Sequence, residues 1–85
     1  MAMVTLRYWA AAKDAAGVAE QTVTADTLAL ALAEAGEVSV RERLRPVLER
    51  SSFLIDGTPV GRRAADSVVL TDGAVIEILP PFAGG

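Results

Sequence analysis

The chain has no cysteine, no histidine and one lysine, Lys13, among its 85 residues. Without cysteine there is neither a disulfide framework nor a thiolate metal site. Without histidine as well, side-chain ligation of zinc, haem or an iron–sulfur cluster is effectively excluded. The two most versatile nucleophilic and acid–base groups are missing too. The carboxylates are scattered singly, with no spacing that brings two acids together in a cleft, so the side chains alone make no case for an enzyme. No apolar run reaches the roughly 18 residues of a membrane span, and the N-terminus lacks a charged-then-apolar signal segment. A net charge of −3 leaves no basic face for nucleic acid. The expectation is a soluble, cytoplasmic protein with no bound cofactor or metal, no nucleic-acid partner and no membrane association.

What is present is apolar patterning. Hydrophobic residues make up 52% of the chain, which argues for a folded domain rather than disorder. At this length a single domain buries somewhat more than about 60% of its unfolded surface. The opening "MVTLRYWA" alternates Val4, Leu6 and Tyr8 against Thr5, Arg7 and Trp9, the period-2 pattern of a half-buried strand. Trp9 has two readings at this point, and both stay open. It is either the first buried residue of the next element, or an exposed aromatic on the face of Thr5 and Arg7. "AAAKDAAG" favours a helix stopped at Gly17, and "EQTVTA" a short strand.

"DTLALALAEAG" alternates like a strand, but its Ala, Leu and Glu are strong helix formers, none of them β-branched, and favour a helix. Asp26 is its expected cap, Leu28, Leu32 and Ala35 its inward face, and Gly36 its stop. "SVRERLRPVLER" pairs Ser39 with Glu42 as a capping box and turns Val40, Leu44 and Val47 or Leu48 inward. Pro46 is expected to kink or split it. Its arginines at 41, 43, 45 and 50 are interleaved with Glu42 and Glu49, as on a solvated helix face.

"SFLIDGTPV" reads as a strand, an Asp-Gly turn and a short return that Pro59 restricts to an edge or a turn. "RRAADS" reads as a loop or a single turn. "VVLTDGAVIEIL" places a Thr-Asp-Gly turn before a last strand, with Ile76 and Ile78 inward. Val75, Glu77 and Leu79 then face outward, with Leu79 exposed near the tail. The order β, α, β, broken α, β, β is an α+β arrangement with one mixed sheet packed on helices. The first and last strands are placed side by side at its centre.

The chain finishes on "ILPPFAGG". Pro80 and Pro81 lack backbone N–H groups and cannot continue a ladder, and their fixed φ projects the tail outward. Six residues past the strand reach about 20 Å when extended. Glycine at the last two positions removes every Cβ and lets the tail enter a narrow channel. A domain over 1–79 with an extended functional tail over 80–85 is the division this implies.

"LRYWAAAKDAAG", "IDGTPV" and "LTDGAVIEILPPFAGG" together resemble the MoaD/ThiS sulfur-carrier family, most closely its MoaD branch, the small subunits of molybdopterin synthase. Trp9, Lys13-Asp14 and Phe82 stand where family members often carry Phe, Arg-Glu and Val. The resemblance implies a ubiquitin-like β-grasp fold. It also implies that an E1-like activating enzyme, using ATP and Mg²⁺, adenylates the Gly85 carboxylate, after which sulfur displaces AMP to leave a thiocarboxylate. Gly84 and Gly85 would carry the chemistry, and Trp9, Pro59, Leu79 and Phe82 would form an apolar docking face. The implied partner is the large subunit of molybdopterin synthase, in a heterotetramer, which would supply the catalytic side chains. The sulfur would go to a cyclic pyranopterin precursor. Alternatives are a carrier for thiamine or amino-acid biosynthesis, a ubiquitin-like modifier joined through Gly85, and an interaction module whose glycines are incidental.

Overall fold

The structure, a computed structural model, describes residues 2–36 and 38–81. Its elements are β1 (Met3–Tyr8), α1 (Ala10–Ala16), β2 (Glu20–Thr24), α2 (Leu28–Ala33), α3 (Val38–Arg50), β3 (Ser52–Ile55), β4 (Thr58–Pro59) and β5 (Val75–Leu79). A single 3-10 turn, Ala65–Ser67, sits between β4 and β5. The strands form one sheet in the order β2-β1-β5-β3-β4. β1 and β5 run parallel, Thr5↔Val75 to Tyr8↔Ile78, and every other pair is antiparallel. The first and last strands are therefore adjacent and flanked on both sides, as expected.

Alternation decides which face is covered. Val4, Leu6 and Tyr8 of β1 and Ile76 and Ile78 of β5 are buried in one cluster with Ala12 and Ala16 of α1, Leu28 and Ala31 of α2, and Leu44 of α3. Burying Leu6, Ile76 and Ile78 completely contributes roughly 1.5–3 kcal/mol each. Val40, Val47 and Leu48 pack against the same cluster, so α3 turns inward the stripe its sequence implies. Arg43, Arg45 and Arg50 lie on the solvated side. No helix among the described residues is long and apolar enough to cross a membrane.

Turn chemistry holds the strands in register. Asp56 and Gly57 take φ of 50° and 84°, the left-handed pair required by a two-residue hairpin. Asp56 also accepts a hydrogen bond from the Val75 N–H at 3.0 Å, tying that hairpin to β5. Asp72 accepts from the Met3 N–H at 2.8 Å, so the Thr-Asp-Gly turn that launches β5 is fastened to the start of β1.

Four expectations are corrected. Thr27, not Asp26, caps α2, its hydroxyl accepting from the Leu30 N–H at 3.2 Å. Asp26 instead accepts from the Ala2 N–H, a long-range bond that draws it away from the helix. α2 ends at Ala33, short of Gly36. α3 begins at Val38 and runs unbroken through Pro46 to Arg50. Ser39 is thus inside the first turn rather than ahead of it, and its side chain lies outside the described residues. Pro46 costs α3 one backbone donor on an exposed position, while Leu44 and Leu48 hold the helix to the core on either side of it.

Candidate functional site

Among the described residues no element covers the face of the sheet opposite the helices, and register determines what it displays. Residues paired across strands share a face. Arg7 pairs with Glu77, Glu77 with Leu54, and Leu54 with Pro59. Leu79 pairs with Ser52. Trp9 succeeds β1 with φ −119° and ψ 151°, so it prolongs the alternation of Thr5 and Arg7. Its N–H donates to the Ile78 carbonyl at 3.3 Å, which sets it beside Leu79 where β5 leaves the sheet. Trp9, Leu79 and Pro59 therefore belong to one open face.

Trp9 is 45% exposed, which selects the exposed-aromatic reading. The next residue, Ala10, holds φ at +49°, a left-handed conformation that costs an alanine roughly 1–2 kcal/mol. That strained corner swings α1 back over the covered side and leaves the indole on the other. Below it, Arg7 Nε donates to Glu20 Oε2 at 2.8 Å, an exposed ion pair worth little to stability. Arg7, Tyr8, Trp9, Lys13, Ala19 and Glu20 line a cleft of about 210 Å³. An exposed ring flanked by both signs of charge suits docking rather than catalysis.

Leu79 is half-buried rather than exposed, because β1 and β3 flank it on either side. Pro80 is buried and Pro81 exposed, so the chain leaves the sheet between them. Pro59 is exposed on the edge strand β4, three strands and about 14 Å from β1. The structure thus joins Trp9 to Leu79 at the tail's root and puts Pro59 at the far side of the same face. Phe82, Gly84 and Gly85 lie outside the described residues.

One apolar member of this face escaped the sequence reading. Leu54 of β3 is half-buried there beside Glu77, and Val75 of β5, read as outward-facing, is half-buried on the same face. The signal for Leu54 was present in "SFLI": with Phe53 and Ile55 turned to the core, the leucine between them points outward. Below the face, Tyr8 donates its hydroxyl hydrogen to Gln21 Oε1 at 2.6 Å, and the same oxygen accepts from the Gly36 N–H at 2.7 Å. Burial pushes the Tyr8 hydroxyl up to about 12, opposed in part by the nearby Gly36 backbone. This network fixes the end of β1, and through it the position of Trp9.

A mixed five-stranded sheet of this order, helices on one face and the other open, is the ubiquitin-like β-grasp. The chain belongs to the ThiS family, whose profile matches residues 6–85, and its fold is that of the small ThiS/MoaD-type sulfur carriers. No curated protein matches it. Among solved structures it is similar to SAMP1 from Haloferax volcanii, at 21% identity and a TM-score of 0.75, covering 98% of this chain and 99% of that one. The complex of subunits 1 and 2 of molybdopterin-converting factor from Helicobacter pylori matches at 24% identity and a TM-score of 0.69, with the same two coverages, 98% and 99%. The small archaeal modifier protein 1 from Methanosarcina acetivorans matches at 22% identity and 0.69, covering 100% and 98%.

Proposed function

We propose that this protein is the sulfur-donating small subunit of a molybdopterin synthase. In this reading an E1-like enzyme uses ATP and Mg²⁺ to join the Gly85 carboxylate to AMP with loss of pyrophosphate. A sulfur nucleophile then displaces AMP, leaving a thiocarboxylate at Gly85. The reactive atom belongs to the backbone, so a chain with neither cysteine nor histidine is equipped for the task. Gly84 keeps the approach to that atom free of side chains. The observation that carries the reading is the union of family membership with an exposed Trp9 beside Leu79 at the root of the Pro80-Pro81 tail.

The large synthase subunit docks on the open face, with Trp9, Leu79 and Phe82 as its apolar centre and Pro59 at its rim. Its active site receives the tail and supplies the acid–base groups that this chain lacks, and the pair assembles as a heterotetramer in the cytoplasm. One structure similar to this chain is a complex of two converting-factor subunits, which favours that partner. Burial of the apolar face on docking contributes roughly 25 cal/mol per Å².

A second reading, a protein modifier joined through Gly85, draws support from the similarity to two SAMP1 proteins. Reconstitution separates the two. The chain is incubated with the activating enzyme, ATP and a sulfur source, and intact mass should show one oxygen exchanged for sulfur. Adding the large subunit and the pterin precursor should give the dithiolene product, and deletion of Gly85 should abolish it without unfolding the domain. Sulfur delivered to a thiazole or cysteine synthase instead, or lysine conjugates in place of thiocarboxylate, would refute the molybdenum assignment.

A further inference from the structure

The two edges of the sheet are treated differently. At one, β4 is two residues long and carries Pro59, both recognised ways of blunting an edge against further pairing. At the other, β2 runs five residues, Glu20–Thr24, with no proline, lysine or glycine and one charge, Glu20. Its hydrogen-bonding phase is set by its ends. Tyr8 N–H donates to the Ala19 carbonyl and Ala25 N–H to the Ala2 carbonyl, so Ala19, Gln21, Val23 and Ala25 turn their backbone groups toward β1. Glu20, Thr22 and Thr24 turn theirs outward. All three are exposed, and no hydrogen bond to an outward-facing backbone group of theirs occurs among the described residues.

We propose that β2 is a pairing edge for a second copy of this chain, antiparallel about a two-fold axis at Thr22. In that register Thr22 faces Thr22 of the other copy and Glu20 faces Thr24, so the three outward residues form three pairs that each exchange both backbone bonds. The charge pattern suits it. The only charged side chain of the strand meets an uncharged threonine, and like charges never stand opposite. The product is a continuous sheet of two five-stranded halves, with each Pro59 edge at an outer end. A contact of one strand pair is well below the area of a standard interface, so the dimer is weak. Such pairing does not depend on the sulfur-carrier chemistry.

Sedimentation velocity of the full chain should show monomer at about 10 μM and dimer at about 1 mM. Thr22→Lys places two like charges across the axis and should weaken the dimer about fivefold, whereas Thr24→Lys meets Glu20 and should tighten it about two- to fivefold. Thr22→Pro removes only the outward donor at each axis position and should weaken pairing about thirtyfold. Circular dichroism checks its fold, and the lysine variants carry the test if that one fails. In a mixed-label sample, nuclear Overhauser contacts between the Hα protons of Gln21 and of the other copy's Val23 should appear. A chain that stays monomeric at about 1 mM overturns the proposal. So does a dimer that Thr22→Lys leaves unchanged, one that Thr24→Lys weakens, or one lacking the Gln21–Val23 contact.

Discussion

Raising the pH should unfasten the end of β1 through a single group. Tyr8 is 2% exposed, and its hydroxyl is pushed up to about 12 from an ordinary 10.0. The folded chain therefore holds the neutral phenol two pH units longer than the unfolded chain does. Stability from this group is complete below pH 10, falls as the pH rises from 10 to 12, and is gone above that. At 1.36 kcal/mol per unit the loss is about 2–3 kcal/mol, a large part of the roughly 5–15 kcal/mol that holds a domain together. Tyr8 is the only tyrosine, so phenolate absorbance reads it without interference, and denaturant unfolding at each pH gives the matching free energies. Tyr8→Phe is the control. It removes the bond to Gln21 Oε1, but that oxygen keeps the Gly36 N–H, so the cost at neutral pH should be about 1 kcal/mol. The decline between pH 10 and 12 should largely vanish. An absorbance midpoint near 10 in the folded protein, or an alkaline decline unchanged in Tyr8→Phe, would show the reasoning to be wrong.

Gly36→Ala should be costly for a different reason. Gly36 holds φ +73°, and a Cβ there would lie 2.9 Å from Val40 Cγ1. A loss of about 1–2 kcal/mol is expected, seen as a melting temperature lower by several degrees. Trp9→Ala should leave the chain folded and weaken the large subunit's binding by about 2 kcal/mol, read by calorimetry on the two purified proteins. Unchanged affinity would remove Trp9 from the docking face. The free protein's tryptophan emission should be red-shifted and accessible to quencher, as a ring 45% exposed requires.

The parts of this fold that could be read from sequence are those where one local signal acts alone. Alternation in "VTLRY" and "VIEIL" assigned the buried face of β1 and β5, because side-chain direction in a strand has a fixed period of two. Gly17 stops α1 with φ +77° for an equally local reason. Local signals failed where two candidates stood side by side or a distant group intervened. Asp26 and Thr27 are both good caps, and what separates them is the Ala2 N–H, 24 residues away, which takes Asp26. Pro46 looked like a breaker, yet packing of Leu44 and Leu48 keeps α3 whole. Trp9 could not be assigned from periodicity, since it stands between a strand and a helix. The Ile78 carbonyl and the Ala10 corner decide it. The open edge of β2 was invisible for a related reason, because strand order is a property of the whole chain.

That strand order also governs the timing of folding. β5 lies between β1 and β3 and is made after both. Until it leaves the ribosome, the two antiparallel pairs β1–β2 and β3–β4 have no shared partner and most of the core has no floor. The sheet closes only once Leu79 has been synthesised. A message broken or read short before that point yields a chain that cannot fold and is left to proteases. In the carrier reading this acts as a check on the product. The strand that completes the domain is also the one that leads into Pro80 and Pro81, so a folded chain has kept β5 and the point at which the proposed tail leaves the sheet.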